Sequence, residues 1–189
     1  MYEAYKATTP YPLYIFFDYL ITFMLFPSLT LTTKTSFGGT WTSILMIIMY
    51  NLGDLLGKII GDFRGSFNNR SIAYLLICRL FFFYTIPLMD KQFTQEDHLL
   101  NNDYFPFFNQ LLFMFTNGLV VSKFYLYVDG SFIISFEKAP IKYKNYAGVL
   151  GGLFLQFGIM LGTFLAIPLQ TFIGPDVPDS WFFMTWDYY

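Results

Sequence analysis

Five stretches of nearly unbroken apolar residues divide the chain: about Pro12 to Leu31, Trp41 to Phe63, Ser71 to Met89, Phe105 to Val128 and Tyr146 to Ile173. Each is near the roughly twenty residues a helix needs to cross a ~30 Å hydrocarbon layer, and the last is long enough to tilt. Runs such as ILMIIMY and LLFMF do not alternate as the ~10-residue strands of a membrane barrel must, so the pattern predicts helices. The polar segments TTKTSFGGT, GSFNNR, DKQFTQEDHLLNND and DGSFIISFEKAPIKYKN read as connectors, none long enough to separate domains. The expected fold is therefore all-α: a polytopic membrane protein with a lead-in over 1–11, a five-helix bundle over 12–173 and a tail over 174–189.

Composition sharpens that reading. Of 189 residues, 55% are apolar and only 13% charged, against about a quarter charged in an average soluble domain. The net charge of −2, with no basic run to track phosphates, removes nucleic acid from the candidate partners. The single cysteine, Cys78, falls inside an apolar stretch and the single histidine, His98, in a polar loop. Disulfide frameworks, zinc sites and Cys/His dyads therefore lack their parts, and no metal or cofactor is expected. An enzyme is not expected either, because no span carries a nucleophile with a base in reach. The start, MYEAYKATTP, leads into a stretch too long for the apolar part of a signal peptide, so it reads as the approach to a retained span.

Basic residues near span ends stay on the cytoplasmic side. Lys6, Arg64, Arg70, Lys123, Lys138, Lys142 and Lys144 fall on the side shared by the N-terminus, whereas only Lys34 and Lys91 fall on the other. The expected orientation has a cytoplasmic N-terminus and, after five spans, an extracytoplasmic C-terminus. The glycosylation sequon at Asn69 then lies on the cytoplasmic side and is expected to be unmodified. Trp181, Trp186, Tyr188 and Tyr189 suit an interfacial belt.

Four charged residues fall at membrane depth: Asp18, Asp54, Lys58 and Arg79. A lone charge at the centre of a spanning helix costs at least ~2.5 kcal/mol, so each needs a partner or a water-filled cavity. Asn51, Asp54 and Lys58 are spaced i, i+3, i+7 and share one helical face, with Asp54 and Lys58 an i, i+4 pair of opposite sign. Two accounts stand open for them: a buried lock that includes Asp18 and Arg79, or a polar path offering a donor and an acceptor to a hydroxyl-rich solute. Asn117, mid-span, suits either an interhelical hydrogen bond or a solute contact. Gln156 admits both roles with less support. Gly53, Gly57 and Gly61 form a small-xxx-small stripe, as do Gly158 and Gly162, and these read as helix-packing surfaces. Pro27, Pro87 and Pro168 come late in three spans, where each can kink its helix.

The second stretch, Asn51-Leu52-Gly53-Asp54-Leu55-Leu56-Gly57-Lys58, resembles the N-x-x-D-x-x-G-R signature in the eighth span of equilibrative nucleoside transporters. Phe26-Pro27-Ser28, Arg79-Leu80 with Pro87-Leu88, Thr116-Asn117-Gly118 with Ser122, and Ala147-Gly148 resemble that family's spans seven, nine, ten and eleven, in the same order. The resemblance implies eleven spans, six plus five, in a fold like that of the major facilitator superfamily, this chain being the final five. It also implies a nucleoside or nucleobase substrate between the halves, with Asp54 and Lys58 corresponding to the acid and base that recognise ribose and support transport. The departure is Lys58, where the family has arginine; lysine keeps the charge and loses the planar fork. Asp18 has no counterpart in the motif and leaves room for a proton-linked variant.

The function expected from the sequence is alternating-access transport, with Asp54, Lys58, Asn51 and Asn117 in substrate binding or gating and Asp18 and Arg79 as structural charges. The expected partners are the solute, the lipid bilayer of the plasma membrane, and a six-span N-terminal half, either missing here or a second chain. The alternatives are half of a general major-facilitator transporter, whose acid-glycine-base signature is close to D-x-x-G-K, and a non-transporting membrane assembly subunit.

Overall fold

A computed structural model of the chain describes residues 9–33, 35, 39–62, 69–89, 103–129 and 144–173. Among them every regular element is helical: α1 (Tyr11–Leu25), α2 (Thr42–Asp62), α3 (Asn69–Arg79), a single turn α4 (Phe82–Thr85), α5 (Phe105–Asp129) and α6 (Lys144–Ile173), with short 3-10 turns at Gly39–Trp41 and Pro87–Met89. Four stretches are long and apolar enough to cross a membrane, at 42–62, 70–89, 105–125 and 146–171, while α1 is apolar and shorter. The chain is a polytopic all-α membrane protein. Most of the lead-in, most connecting residues, His98 and the aromatic tail lie outside the described residues.

The first helix ends six residues before the expected Leu31, for a local reason. Phe26 precedes Pro27, and the proline ring pushes the preceding residue out of the helical region; Phe26 is extended, at φ −113° and ψ 137°. The chain continues as turns, with Leu29 and Leu31 donating to the carbonyls of Leu25 and Pro27. The third stretch is broken too. After Arg79 the helix tightens, with Leu80 and Phe81 donating to carbonyls only three residues back, at 3.0 Å each. Pro87, which has no N–H to give, then opens the 3-10 turn. In α6, by contrast, the helix runs through Pro168 to Ile173.

Two pairs of helices are packed most closely, α2 along α5 and α1 along α6, and α1 also meets α5 and α3. The central element is α5: 61% of its spanning segment is buried, against 22% for that of α2 and 28% for that of α6. Both close pairs depend on glycine. A Cβ on Gly57 would overlap the Phe115 carbonyl and lie 2.9 Å from the Gly118 Cα, and one on Gly118 would overlap the Asp54 carbonyl. In the other pair, Cβ atoms on Gly158 and Gly162 would come within 2.6 Å and 2.7 Å of the Phe16 and Leu20 carbonyl oxygens. Both stripes pack as the sequence suggests. Backbones approach this closely only where side chains are absent, which is how helices associate when lipid gives no hydrophobic driving force.

Candidate functional site

The glycine crossing of α2 and α5 determines what lies beside it. Asp54 and Lys58 flank Gly57, and Asn117 adjoins Gly118, so the crossing brings the polar residues of the two helices together. The Lys58 ammonium pairs with Asp54 Oδ2 at 2.5 Å, one helical turn apart, and the Asn117 amide donates to Asp54 Oδ1 at 2.9 Å. Each carboxylate oxygen thus has a donor, one from its own helix and one from α5. The pair reaches the surface of the bundle, with the Lys58 side chain 44% exposed and that of Asp54 20%.

The other two charges lie deeper. Asp18 and Arg79 are fully buried, with Arg79 Nε 3.0 Å from Asp18 Oδ1. The Nε–H is not directed at that oxygen, so this is a charge contact and not a hydrogen bond. The rest of the guanidinium is held firmly: Nη1 donates to the Phe113 carbonyl at 3.0 Å and to Thr116 Oγ1 at 2.8 Å, and Nη2 to Thr22 Oγ1 at 2.7 Å. Its carbon sits 4.8 Å from the centre of the Phe113 ring, a cation–π contact.

Thr22 joins the two ion pairs. Its hydroxyl accepts from Arg79, and it lies 2.9 Å from Asn117 Oδ1 and 2.7 Å from the Asp18 carbonyl, with a single hydrogen to give. Asn117 must turn its NH₂ toward Asp54, which only accepts, and this leaves Oδ1 facing Thr22 and in need of a donor. The arrangement that satisfies most groups is therefore directional: Arg79 to Thr22, Thr22 to Asn117, Asn117 to Asp54, with Lys58 donating from the far side. It draws on α1, α2, α3 and α5.

Of the residues singled out from sequence, Asp54, Lys58, Asn117, Asp18 and Arg79 thus belong to one connected set. Asn51 does not join it: it is exposed, and its amide donates to the Ile47 carbonyl of its own helix at 2.8 Å. Gln156 is exposed on α6. Ser122, the last residue of the α5 motif, donates to Asp62 Oδ1 at 2.6 Å and ties down the end of α2. Thr22 escaped sequence reading, and Thr116 appeared there only as part of the α5 motif, with no role. The one available signal was spacing, since Thr22 follows Asp18 by four residues and shares its helical face. Tyr50, one turn before Asp54, is half-buried, and its ring lies 4.2 Å from that of Phe26.

The sequence that builds this all-α membrane bundle matches a known family. The profile of the nucleoside transporter family matches residues 6–171, and the chain belongs to that family. It is 25% identical over 172 residues to equilibrative nucleoside transporter 4 of Danio rerio, a match that covers 90% of this chain and 31% of the relative. The chain thus spans about a third of the length of that curated relative. No solved structure matches it closely.

Proposed function

We propose that this chain forms the C-terminal half of a nucleoside or nucleobase transporter, in which Asp54 and Lys58, with Asn117 and Asn51 beside them, contact or gate the solute. The observation that carries the proposal is the partly exposed Asp54–Lys58 pair, fixed from two helices at a glycine crossing. Lipid cannot satisfy such a pair, so its open side faces either the rest of the transporter or a water-filled path. The chemistry suits a ribose. Lys58 has three N–H donors and gives one to Asp54, while both Asp54 oxygens keep unused lone pairs. Adjacent hydroxyls, each a donor and an acceptor, can use both at once. Tyr50, braced by Phe26 one turn away, adds aromatic surface of the kind on which a base stacks.

In this reading no covalent chemistry occurs. The six-span half, from the same polypeptide or from a second chain, supplies the opposite wall, and the two bundles rock about the midplane site. The plasma membrane, a cytoplasmic N-terminus and an extracytoplasmic C-terminus complete the proposal. Asp18 and Arg79 serve as the structural anchor: they are fully buried in charge contact, and Arg79 is hydrogen-bonded to neighbouring helices.

Uptake of radiolabelled adenosine and uridine by cells expressing the longest native product tests the assignment. Losing a charged hydrogen-bonding group costs about 1.5–3 kcal/mol, so Asp54→Ala and Lys58→Ala should each lower uptake roughly tenfold or more at equal surface abundance. Undiminished uptake in both variants refutes the site.

A further inference from the structure

At the end of the bundle where α1 closes and α5 begins, polar side chains are buried with no protein group to bond. Gln110 is fully buried, and neither its amide nitrogen nor its carbonyl oxygen has a partner; the hydroxyls of Thr30 and Thr85, also buried, are in the same condition. Helix register brings two of them together. The segment from α3 through α4 runs antiparallel to α5, because Arg79 donates to the Phe113 carbonyl, the Phe82 and Phe113 rings lie 5.0 Å apart, and Asn109 reaches the Met89 sulfur at 3.2 Å. Three residues on from Phe82 is Thr85, and three back from Phe113 is Gln110, so the two fall opposite each other on one seam. Thr30 adjoins Leu29, which belongs to the same buried cluster as Phe82, Ile86 and Phe113.

These groups are all neutral, and between them they offer both donors and acceptors: two N–H and a carbonyl from Gln110, one hydroxyl from each threonine. An ion stripped of its hydration would gain too little from them, whereas water asks for two to four such partners. The same end of the bundle contains both breaks. Pro27 and Pro87 have no N–H for the carbonyls of Phe23 and Phe83, and spanning helices that contain proline commonly make good such losses with ordered water.

We propose that Gln110, Thr85 and Thr30 hold ordered water inside the bundle, in a hydrated site at the breaks of α1 and of the α3–α4 segment, apart from the Asp54 site. Exchangeable partners there let the broken segments shift without stranding a polar group.

Radiolytic footprinting of the purified intact protein tests this, because water bound within the protein is ionised in the beam and labels the side chains around it. Phe82 and Phe124 are similarly inaccessible, at 5% and 6% exposure, but only Phe82 lies on the proposed seam, Phe124 belonging to the other buried cluster of the bundle. The expected result is labelling of Phe82 several-fold faster than of Phe124, with the excess abolished in Gln110→Met. The same variant should melt several degrees lower, since it takes a partner from bound water. In a dry site it would instead remove an unsatisfied amide and melt unchanged or higher. Equal labelling of the two phenylalanines in the unmodified protein, or an unchanged or raised melting temperature for Gln110→Met, overturns the proposal. The labelling comparison decides it even if the variant fails to fold.

Discussion

Asn117 donates to Asp54 across 2.9 Å although 63 residues separate them in the chain. That bond places the acid of α2 under the control of α5, and through Thr22 it extends to a guanidinium that never reaches the surface.

Removing the intermediate amide should therefore be felt at Asp54. Asn117→Ala leaves one carboxylate oxygen without its donor, while Thr22 keeps only the Asp18 carbonyl to donate to, a loss of about 1–3 kcal/mol. We expect a lower melting temperature in detergent together with reduced uptake. Asn51→Ala, whose amide bonds only its own helix, should leave the melting temperature nearly unchanged. Equal shifts of melting temperature in the two variants would contradict the network.

The buried ion pair should behave as a unit. Arg79→Leu or Asp18→Leu alone strands a charge and should cost on the order of 3–5 kcal/mol. The double variant should recover some of that loss, giving a coupling energy of at least ~1 kcal/mol in a double-mutant cycle on thermal stability. Additive losses would mean that the two charges do not sense each other.

Glycine substitutions should change sign with position. Gly57→Ala forces a methyl into the Phe115 carbonyl, and overpacking of this kind costs about 1–3 kcal/mol. Gly152, on the open face of α6 with nothing within 4 Å, should gain from alanine by up to ~1 kcal/mol of helix propensity. Melting curves of the two variants that shift in the same direction would rule out the crossing as described.

Lys58→Arg should retain at least half of the uptake, because the positive charge beside Asp54 is kept, whereas Lys58→Met should lose roughly tenfold or more. If the two variants transport alike, charge at this position is not what transport needs.

The helical bundle could be read from the length of the apolar stretches alone, because a bilayer sets a fixed requirement that sequence displays openly. The helix breaks were harder to see. Pro27 and Pro87 announced that something changes, but whether a proline kinks a helix or ends it depends on the surrounding packing, and Pro168 sits inside an unbroken helix. The α2 face was legible because Asp54 and Lys58 are neighbours in one helix, whose periodicity is known in advance. Which acid pairs with Arg79 was not, since that depends on how α1, α3 and α5 meet. Thr22 stayed hidden for a related reason: one hydroxyl in an apolar helix has no pattern, and only the fold gives it two partners.

The glycine contacts also limit how the molecule can deform. Where α2 meets α5, and where α1 meets α6, backbone lies against backbone with no side chain between to swing aside. Each pair is consequently a stiff plank. The seam between the planks is linked by longer side chains, among them Thr22 to Asn117 and the reach of Arg79 from α3. Such links can exchange partners without moving a backbone, so movement of one plank against the other takes place at that seam.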